Sequence, residues 1–269
     1  MTVFKAQKDG KLSEIISENF NGAASYSFIM KLLRKKDVKI NGKRTGKDEN
    51  VSRGDEICIY ADISDDRAKK ILYEDEDILV VYKPKGITSE DFYELVKQER
   101  ENARFIHRLD RNTDGIMIFA LTETANAELL KGFKERTFKK YYNAAVCGKF
   151  EQKSGTLTAY LKKDKDKAEV KIFKDPTAGA EKIITKYKVL KEDDETSLLE
   201  VELITGKTHQ IRAHLAFVGH PVIGDGKYGY KSINDKFRKK SQMLTAKKIV
   251  LKFEKSSPLY RLDGKTFEI

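Results

Sequence analysis

The sequence predicts an α+β fold in two parts. Short apolar or alternating segments, each bounded by turn-forming residues, recur from residue 71 onward with few helical patterns between them. This spacing favours a mixed, mostly antiparallel β-sheet with flanking helices. Residues 12–60 predict a separate small α/β domain, and residues 61–70 are charged without an apolar period, as linkers are. We therefore place the domains at 1–60 and 71–269, with a linker over 61–70.

The elements of the first domain follow from local patterns. Apolar residues at helical spacing predict a helix near 12–20 and a second helix over 27–34. Asn41 and Gly42 follow a short apolar strand, and this dipeptide is typical of a tight β-hairpin. An alternating strand over 51–60 then closes the domain.

The second domain opens with a strand at 78–82, a run of five apolar or aromatic residues. It ends at a turn that contains Pro84 and Gly86, and a helical pattern follows over 91–100. Further strands are predicted at 116–121, 141–147, 155–161, 182–190, 198–204, 243–253 and the C-terminal end, with helices near 125–133 and 210–218. The predicted content is that of a strand-rich domain.

The composition limits the partners. There are 53 Lys and Arg residues against 42 Asp and Glu residues, a net charge of +11, which favours a polyanion such as RNA but also describes many proteins that bind none. The two cysteines, Cys58 and Cys147, have no partner at metal-ligand spacing, so neither a disulfide scaffold nor a cysteine metal site is predicted. Neither a signal sequence nor a membrane span is predicted, and we expect a cytoplasmic protein. The sequence makes no prediction about oligomeric state.

Two polar runs suggest a single active site. The first, at 107–115, is His-Arg-Leu-Asp-Arg-Asn-Thr-Asp-Gly and leads directly into an apolar strand, so it can present Asp110 to a cleft. Taken alone, such a run is more often a simple polar turn. The second run, over 205–215, is equally dense in polar groups that a fold would not bury without reason. Gly224 and Asp225 follow it and are expected to shape a loop of the cleft wall.

The first run, the segment Lys-Tyr-Tyr-Asn-Ala-Ala-Val-Cys-Gly at 140–148 and residues 205–229 resemble, in this order, the three motifs of RluA-type pseudouridine synthases. The resemblance extends over about residues 71–269. It implies an isomerase that converts uridine to pseudouridine in RNA, without metal or cofactor. Large-subunit ribosomal RNA is the preferred substrate by resemblance, with transfer RNA as the alternative.

The resemblance also assigns catalytic roles. Asp110 matches the catalytic carboxylate, and Arg212 matches the arginine that pairs with it; a neighbouring cation keeps a carboxylate ionised in a cleft. Tyr142 matches the tyrosine that lies against the uracil face. Taken without the motifs, Arg212 would be an exposed helix arginine and Tyr142 a core strand residue. The identity of the covalent intermediate stays open.

Further residues are predicted to contact RNA. His107 and Arg108 are expected near the flipped nucleotide and its phosphates, and Lys140 shares a strand face with Tyr142. All four histidines lie in the motif regions at 107–115 and 205–229, but His209 and His214 are five residues apart, which does not suit a helical pair of metal ligands. We predict no metal site.

The first domain resembles the small αL RNA-binding domain that often precedes such catalytic domains. Basic residues crowd its helix-turn-strand corner: Lys31, Arg34, Lys35, Lys39 and Arg44. We expect these residues to contact RNA phosphates, with a merely solvated basic face as the alternative.

Two further points bear on the family activity. A catalytically idle RNA-binding or ribosome-assembly factor could retain the same fold, although the presence of Asp110, Tyr142 and Arg212 together opposes idleness. Asp114 stands where the family usually has serine, and we expect it to occupy an outward turn position.

Overall fold

The computed structural model of the protein describes residues 2–20, 26–60, 70–164 and 169–269. The chain divides into two compact units, Met1–Ala68 and Lys69–Ile269. Of the predicted linker, residues 61–69 lie outside the described residues, and Lys70 is the first residue of a strand. In the described parts of the chain, no helix is long and apolar enough to cross a membrane. The cytoplasmic location stays a prediction.

The first unit combines two helices with short strands. Its elements are β1 (Thr2–Lys5), β2 (Gly10–Lys11), α1 (Leu12–Asn19), α2 (Tyr26–Arg34), β3 (Val38–Ile40), β4 (Lys43–Thr45), β5 (Asn50–Val51) and β6 (Glu56–Ile59). The strands form a four-stranded sheet in the order β1-β6-β3-β4 and a separate β2-β5 pair. Ile16 of α1, Leu33 of α2 and Ile57 of β6 are fully buried in its core.

The predicted hairpin joins β3 to β4. Asn41 and Gly42 have φ values of 47° and 80°, the left-handed backbone that a two-residue hairpin turn requires. The turn places Lys39 directly opposite Arg44, and both cations lie about 5 Å from the centre of the Tyr60 ring. Two of the predicted RNA contacts therefore share one face of the hairpin with an aromatic ring.

The second unit is built on one large sheet. Its elements are β7 (Lys70–Glu74), β8 (Ile78–Lys83), α3 (Ser89–Glu99), β9 (Arg104–Phe105), β10 (Asp114–Ala120), α4 (Glu123–Glu135), β11 (Lys139–Cys147), β12 (Ser154–Lys163), β13 (Val170–Phe173), β14 (Glu181–Glu192), β15 (Thr196–Leu203), α5 (Gln210–Phe217), α6 (Lys231–Lys236), β16 (Leu244–Val250), a 3-10 helix (Tyr260–Leu262) and β17 (Thr266–Glu268). The main strand order is β13-β12-β14-β15-β11-β16-β10-β8-β7, with β9 beside β10 and β17 beside β16. Among the described pairings only β10 and β16 run parallel, so the predicted α+β, mostly antiparallel class is confirmed.

The sheet separates two apolar layers. Strand β10 is buried on both faces: Ile116 and Ile118 pack with α4 in one layer, and Met117 and Phe119 pack with α3 and α5 in the other. Tyr142 of β11 lies in this second layer. The side chains that reach the cleft described below are therefore held by the same packing that forms the core.

Several elements differ from the prediction. Strands β1, β7 and β13 were not predicted. The strand expected over 243–253 ends at Val250, because Leu251 exchanges backbone hydrogen bonds with the chain at Gly264 and Lys265 instead of continuing the sheet. Helix α6 was not predicted; it is six residues long and has no buried residue, so it carries no apolar period.

Candidate functional site

A polar cleft of about 400 Å³ opens in the second unit. The loop before β10, the end of α4, strand β11 and the start of α5 form its walls. The predicted residues that line it are His107, Arg108, Asp110, Lys140, Tyr142 and Arg212. The structure thus brings together side chains from three separate segments of the sequence.

Asp110 is presented to the cleft by a firmly anchored loop. Ser89 holds the preceding residue twice: its Oγ accepts the Leu109 N–H at 2.8 Å and donates to the Leu109 carbonyl at 2.9 Å. On the other side, the Thr113 N–H donates to the Asp110 carbonyl at 2.9 Å and closes a turn. The Asp110 side chain keeps 21% of its surface exposed, so its carboxylate remains accessible from the cleft.

A buried lysine holds this loop through hydrogen bonds to backbone carbonyls. The Lys83 side chain is fully buried, and its Nζ donates to the carbonyls of Pro84 and Ile87 at 2.9 Å each and to that of Arg111 at 3.4 Å. Burial lowers the pKa of Lys83 to about 8, although nearby carboxylates oppose the shift. Lys83 therefore ties the turn after β8 to the loop that carries Asp110, a role that the sequence analysis did not foresee.

Arg212 lies between two carboxylates. Its Nη1 donates to Asp110 Oδ2 at 2.9 Å, and its Nε and Nη2 donate to Asp225 at 2.7 and 2.9 Å. Its guanidinium also lies 5.3 Å from the centre of the Tyr228 ring. Burial alone would lower the pKa of Arg212, but the two carboxylates keep it above its usual value. The cation is therefore fixed and permanently charged.

The start of α5 fixes the Arg212 backbone. Gln210, the first residue of the helix, is buried, and its Oε1 accepts from the Thr205 hydroxyl at 2.8 Å and from the Lys207 N–H at 3.1 Å. Its Nε2 donates to the Ile184 carbonyl at 3.1 Å. The polar residues of the second run are thus satisfied by one another, and this arrangement holds the helix against the sheet.

Asp225 was predicted only as a loop former, and this interpretation was incomplete. Its side chain is fully buried and also accepts the N–H groups of Lys227 and Tyr228 at 2.9 and 3.1 Å. Burial would raise the pKa of Asp225, but the hydrogen bonds and charge of Arg212, with the two backbone N–H groups, hold it below its ordinary value. An aspartate between two glycines is also typical of a turn, so its pairing with Arg212 gave no signal in the sequence.

Tyr142 lies in the core layer and also lines the cleft. Burial, and then the charge of Asp110, raise the pKa of its hydroxyl well above the usual range. The Tyr142 hydroxyl is therefore protonated at neutral pH. Among the described residues it has no hydrogen-bond partner. Its neighbour Tyr141 is instead covered by Lys248, at 4.6 Å from its ring centre.

His107 is a half-buried, neutral histidine. Its Nε2 accepts the Ile118 N–H at 3.0 Å, and its ring stacks on Phe133 with centres 4.4 Å apart. Burial, and then the positive charge of Lys140, lower the pKa of His107 to about 3. Because Nε2 uses its lone pair to accept a hydrogen bond, the ring carries its proton on Nδ1.

We expect His107 to make the protein sensitive to mild acid. The unfolded chain binds a proton at this residue below its ordinary pKa of 6.5, whereas the folded protein does so only near 3. Stability is therefore lost as the pH falls through this window, by up to about 2 kcal/mol at pH 5. Urea unfolding at pH 7 and pH 5 should show a larger loss for the wild type than for His107→Gln, whose amide oxygen can still accept the Ile118 N–H. Equal losses would contradict the assignment.

The other two predicted cleft residues differ in environment. Arg108 is exposed and forms an ion pair with Glu90 at 3.0 Å. Lys140 is half-buried, and its Nζ lies 5.6 Å from the centre of the Phe133 ring. Burial, and then the charge of Arg136, lower the pKa of Lys140.

The remaining histidines are held by single polar contacts. His209 has a left-handed backbone (φ 54°) and lies 3.0 Å from the Tyr228 hydroxyl; His214 lies 3.0 Å from the Thr185 hydroxyl; and His220 Nδ1 donates to the Cys147 carbonyl at 2.9 Å. Within the described ranges, no three His, Cys, Asp or Glu side chains converge as metal ligands would.

Asp114 does not take the outward turn position that we expected. It is the first residue of β10 and half-buried, and it accepts hydrogen bonds from the Tyr82 and Thr245 hydroxyls at 2.7 Å each. Lys85 lies 3.6 Å away. Asp114 is not among the residues that line the cleft.

The basic residues predicted in the first unit lie on α2 and the β3–β4 hairpin. Lys31 and Arg34 are in the last turn of α2, and Lys35 follows it; all three are exposed. Lys39 and Arg44 flank the hairpin turn described above.

Comparison with known proteins identifies the chain. A family model described as RNA pseudouridylate synthase matches residues 77–217, a range that contains Asp110, Tyr142 and Arg212. The chain belongs to this family. Pseudouridine synthases are isomerases that act on RNA, and the resemblance to the RluA type is confirmed.

Individual relatives agree with this assignment. The dual-specificity RNA pseudouridine synthase RluA of Yersinia pestis is 34% identical over 171 residues, or 60% of this chain and 82% of the relative. The ribosomal large subunit pseudouridine synthase C of Vibrio parahaemolyticus is 29% identical over 229 residues, 76% of this chain and 71% of the relative. The solved structure of human RNA pseudouridylate synthase domain containing 1 aligns with a TM-score of 0.63 and 26% identity, over 76% of this chain and 82% of that one.

Proposed function

We propose that this synthase isomerises uridine to pseudouridine with Asp110 as its catalytic carboxylate. One observation carries the proposal: Asp110 and Arg212, 102 residues apart in sequence, meet at 2.9 Å in a cleft that Tyr142 also lines. A carboxylate that is both paired and accessible suits a reaction that needs a nucleophile or base at neutral pH.

The chemistry defines what the site must do. The bond between ribose carbon 1′ and uracil nitrogen 1 breaks, the base turns over, and carbon 5 bonds to carbon 1′. Carbon 5 releases its proton to solvent and nitrogen 1 takes up a proton, so the product is an isomer of the substrate. Asp110 supplies the carboxylate that attacks the nucleotide or takes up a proton from it. Arg212 holds that carboxylate in place through a hydrogen bond of 2.9 Å. Tyr142, protonated at neutral pH, offers a ring face for the uracil and a hydroxyl that donates a hydrogen bond.

We propose large-subunit ribosomal RNA as the substrate, with transfer RNA as the alternative. The relative from Vibrio parahaemolyticus is named for the ribosomal large subunit, which supports the first choice. The target uridine must leave its stack to reach Asp110, and His107 and Arg108 at the same loop are proposed to contact the nucleotide and its phosphates.

We also propose that the first unit is an αL-type RNA-binding domain over residues 1–60 that increases affinity for RNA. The exposed cations Lys31, Arg34 and Lys35, with Lys39 and Arg44 against Tyr60, form a basic corner suited to phosphates. Contacts of this kind add affinity without choosing a sequence.

A tritium-release assay tests the proposal. Total RNA is prepared from a strain that lacks this protein, after labelling at uracil carbon 5, and is incubated with the purified protein. We expect tritium release, and fractionating the RNA first then identifies which class is modified. Binding of the RNA without any release would instead support the catalytically idle RNA-binding factor.

A further inference from the structure

The cations that line the cleft fall into two sets. Arg108 pairs with Glu90 at 3.0 Å, Arg212 with Asp110 at 2.9 Å, and Lys207 with Glu181. Three other lining cations, Lys134, Arg136 and Lys140, have no carboxylate partner among the described residues. This second set lies together where α4 ends and β11 begins.

Lys140 is the member of this set whose charge is partly buried without a carboxylate among the described residues to balance it. Its side chain is half-buried, and its Nζ lies near both the Phe133 ring and Gly206, where an added Cβ would lie 3.5 Å from it. Burial and the charge of Arg136 both disfavour its protonated form, and both lower its pKa. Holding a charged lysine in a cleft beside a second cation, with no carboxylate nearby, costs free energy unless an anion binds between the two cations.

The position of Lys140 relative to Tyr142 indicates which anion this is. The two residues are two apart on one face of β11, a separation of about 7 Å along the strand. Both residues also line the same cleft. A uracil held against Tyr142 therefore brings the phosphates of its own strand into the part of the cleft where Lys140 lies.

We propose that Lys140, with Arg136 and Lys134, forms an anion subsite for a backbone phosphate next to the target uridine. The subsite deepens the proposed function and rests on it for the identity of the RNA. The Phe133 ring and the neutral His107 ring stacked on it form an apolar surface beside this subsite. A phosphate bound there is partly shielded from water, so its attraction to the cations is stronger than on an open surface.

The first arm of the test uses inorganic sulfate as a phosphate probe. The thermal unfolding of the full-length protein is measured with and without sulfate, at constant ionic strength set by chloride. Lys140→Met keeps the length of the side chain and removes its charge. Lys139→Met is the matched control, because Lys139 is exposed at the start of the same strand. We expect sulfate to raise the Tm of wild type and Lys139→Met by about 3 °C more than that of Lys140→Met.

The second arm uses fluorescein-labelled dodecauridylate as an RNA probe. Fluorescence anisotropy gives its Kd over a series of salt concentrations and does not depend on catalysis. We expect Lys140→Met to weaken binding about fivefold and to reduce the slope of log Kd against log salt by about 0.7, the effect of one lost phosphate contact to a single strand. Lys139→Met should match the wild type.

Both arms must succeed. An equal sulfate shift in Lys140→Met and wild type overturns the anion subsite. A lost sulfate shift with unchanged RNA binding assigns the site to a free anion and overturns the RNA phosphate. Should Lys140→Met fail to fold, Arg136→Gln at an exposed position decides the same two comparisons. The absence of tritium release by wild type would count against the proposed function alone, since neither arm measures turnover.

Discussion

Replacing Asp110 with asparagine is expected to abolish pseudouridine formation while leaving RNA affinity within about threefold. The substitution keeps the shape of the side chain and its hydrogen bond to Arg212, but it removes the charge and basicity that the reaction requires. We expect tritium release to fall by roughly 1,000-fold or more. Single-turnover release from labelled RNA, compared with the Kd of the same RNA, separates the chemical step from binding.

Asp114→Asn provides the matched control. Asp114 is another half-buried carboxylate at the end of the same loop, but its partners are Tyr82, Thr245 and Lys85, and it does not line the cleft. Its replacement should leave the turnover of the folded protein within about twofold, since neither Asp114 nor its partners Tyr82, Thr245 and Lys85 line the cleft where the reaction takes place. Substantial release by Asp110→Asn, or an equal loss in Asp114→Asn, would contradict the role proposed for Asp110.

The carboxylates on either side of Arg212 differ in burial, and this difference separates their roles. Asp225 is fully buried and accepts two backbone N–H groups in addition to the guanidinium. Asp110 retains 21% exposure and accepts one hydrogen bond from Arg212. A fully satisfied carboxylate is suited to hold Arg212, whereas a partly satisfied one has lone pairs left for a nucleotide. The same arginine therefore connects a structural anion to a reactive one.

The sequence predicted much of this arrangement because its signals are local. Apolar period and turn residues predicted strands such as β10 and the hairpin at Asn41 and Gly42. The motif resemblance placed Asp110, Tyr142 and Arg212 in one site, and the structure brings them to one cleft. These features depend on neighbouring residues or on recognisable runs.

The burial of Lys83, Asp114 and Asp225 by distant partners was not predicted. Lys83 is buried because three carbonyls from two loops surround it, and no property of the tetrapeptide Lys-Pro-Lys-Gly indicates this. Asp114 lies inward because Tyr82 and Thr245, from two neighbouring strands, donate to it. Asp225 likewise acquires its role only when its loop meets α5. Burial of a charged residue is decided by the partners that the fold brings to it.

Asp225→Asn is the second substitution with a large expected effect. It removes one charge of a buried ion pair, so Arg212 would keep only Asp110 as a carboxylate partner among the described residues. We expect the free energy of unfolding to fall by about 3 kcal/mol, the usual cost of breaking such a pair from one side. We also expect kcat to fall roughly 100-fold, because Arg212 is then free to move toward Asp110 and cover the lone pairs that the nucleotide needs.

Urea unfolding and steady-state tritium release measure the two effects, the latter at a temperature where the variant is fully folded. A positioning role predicts a lower kcat with KM little changed, since Asp225 is buried behind Arg212 and is not among the residues that line the cleft. A stability defect alone would lower the amount of active protein and leave kcat per folded molecule unchanged. That result would leave Asp225 with a structural role alone. A kcat loss in the folded Asp225→Asn variant that Asp114→Asn does not share would show that the orientation of Arg212 controls the reactivity of Asp110.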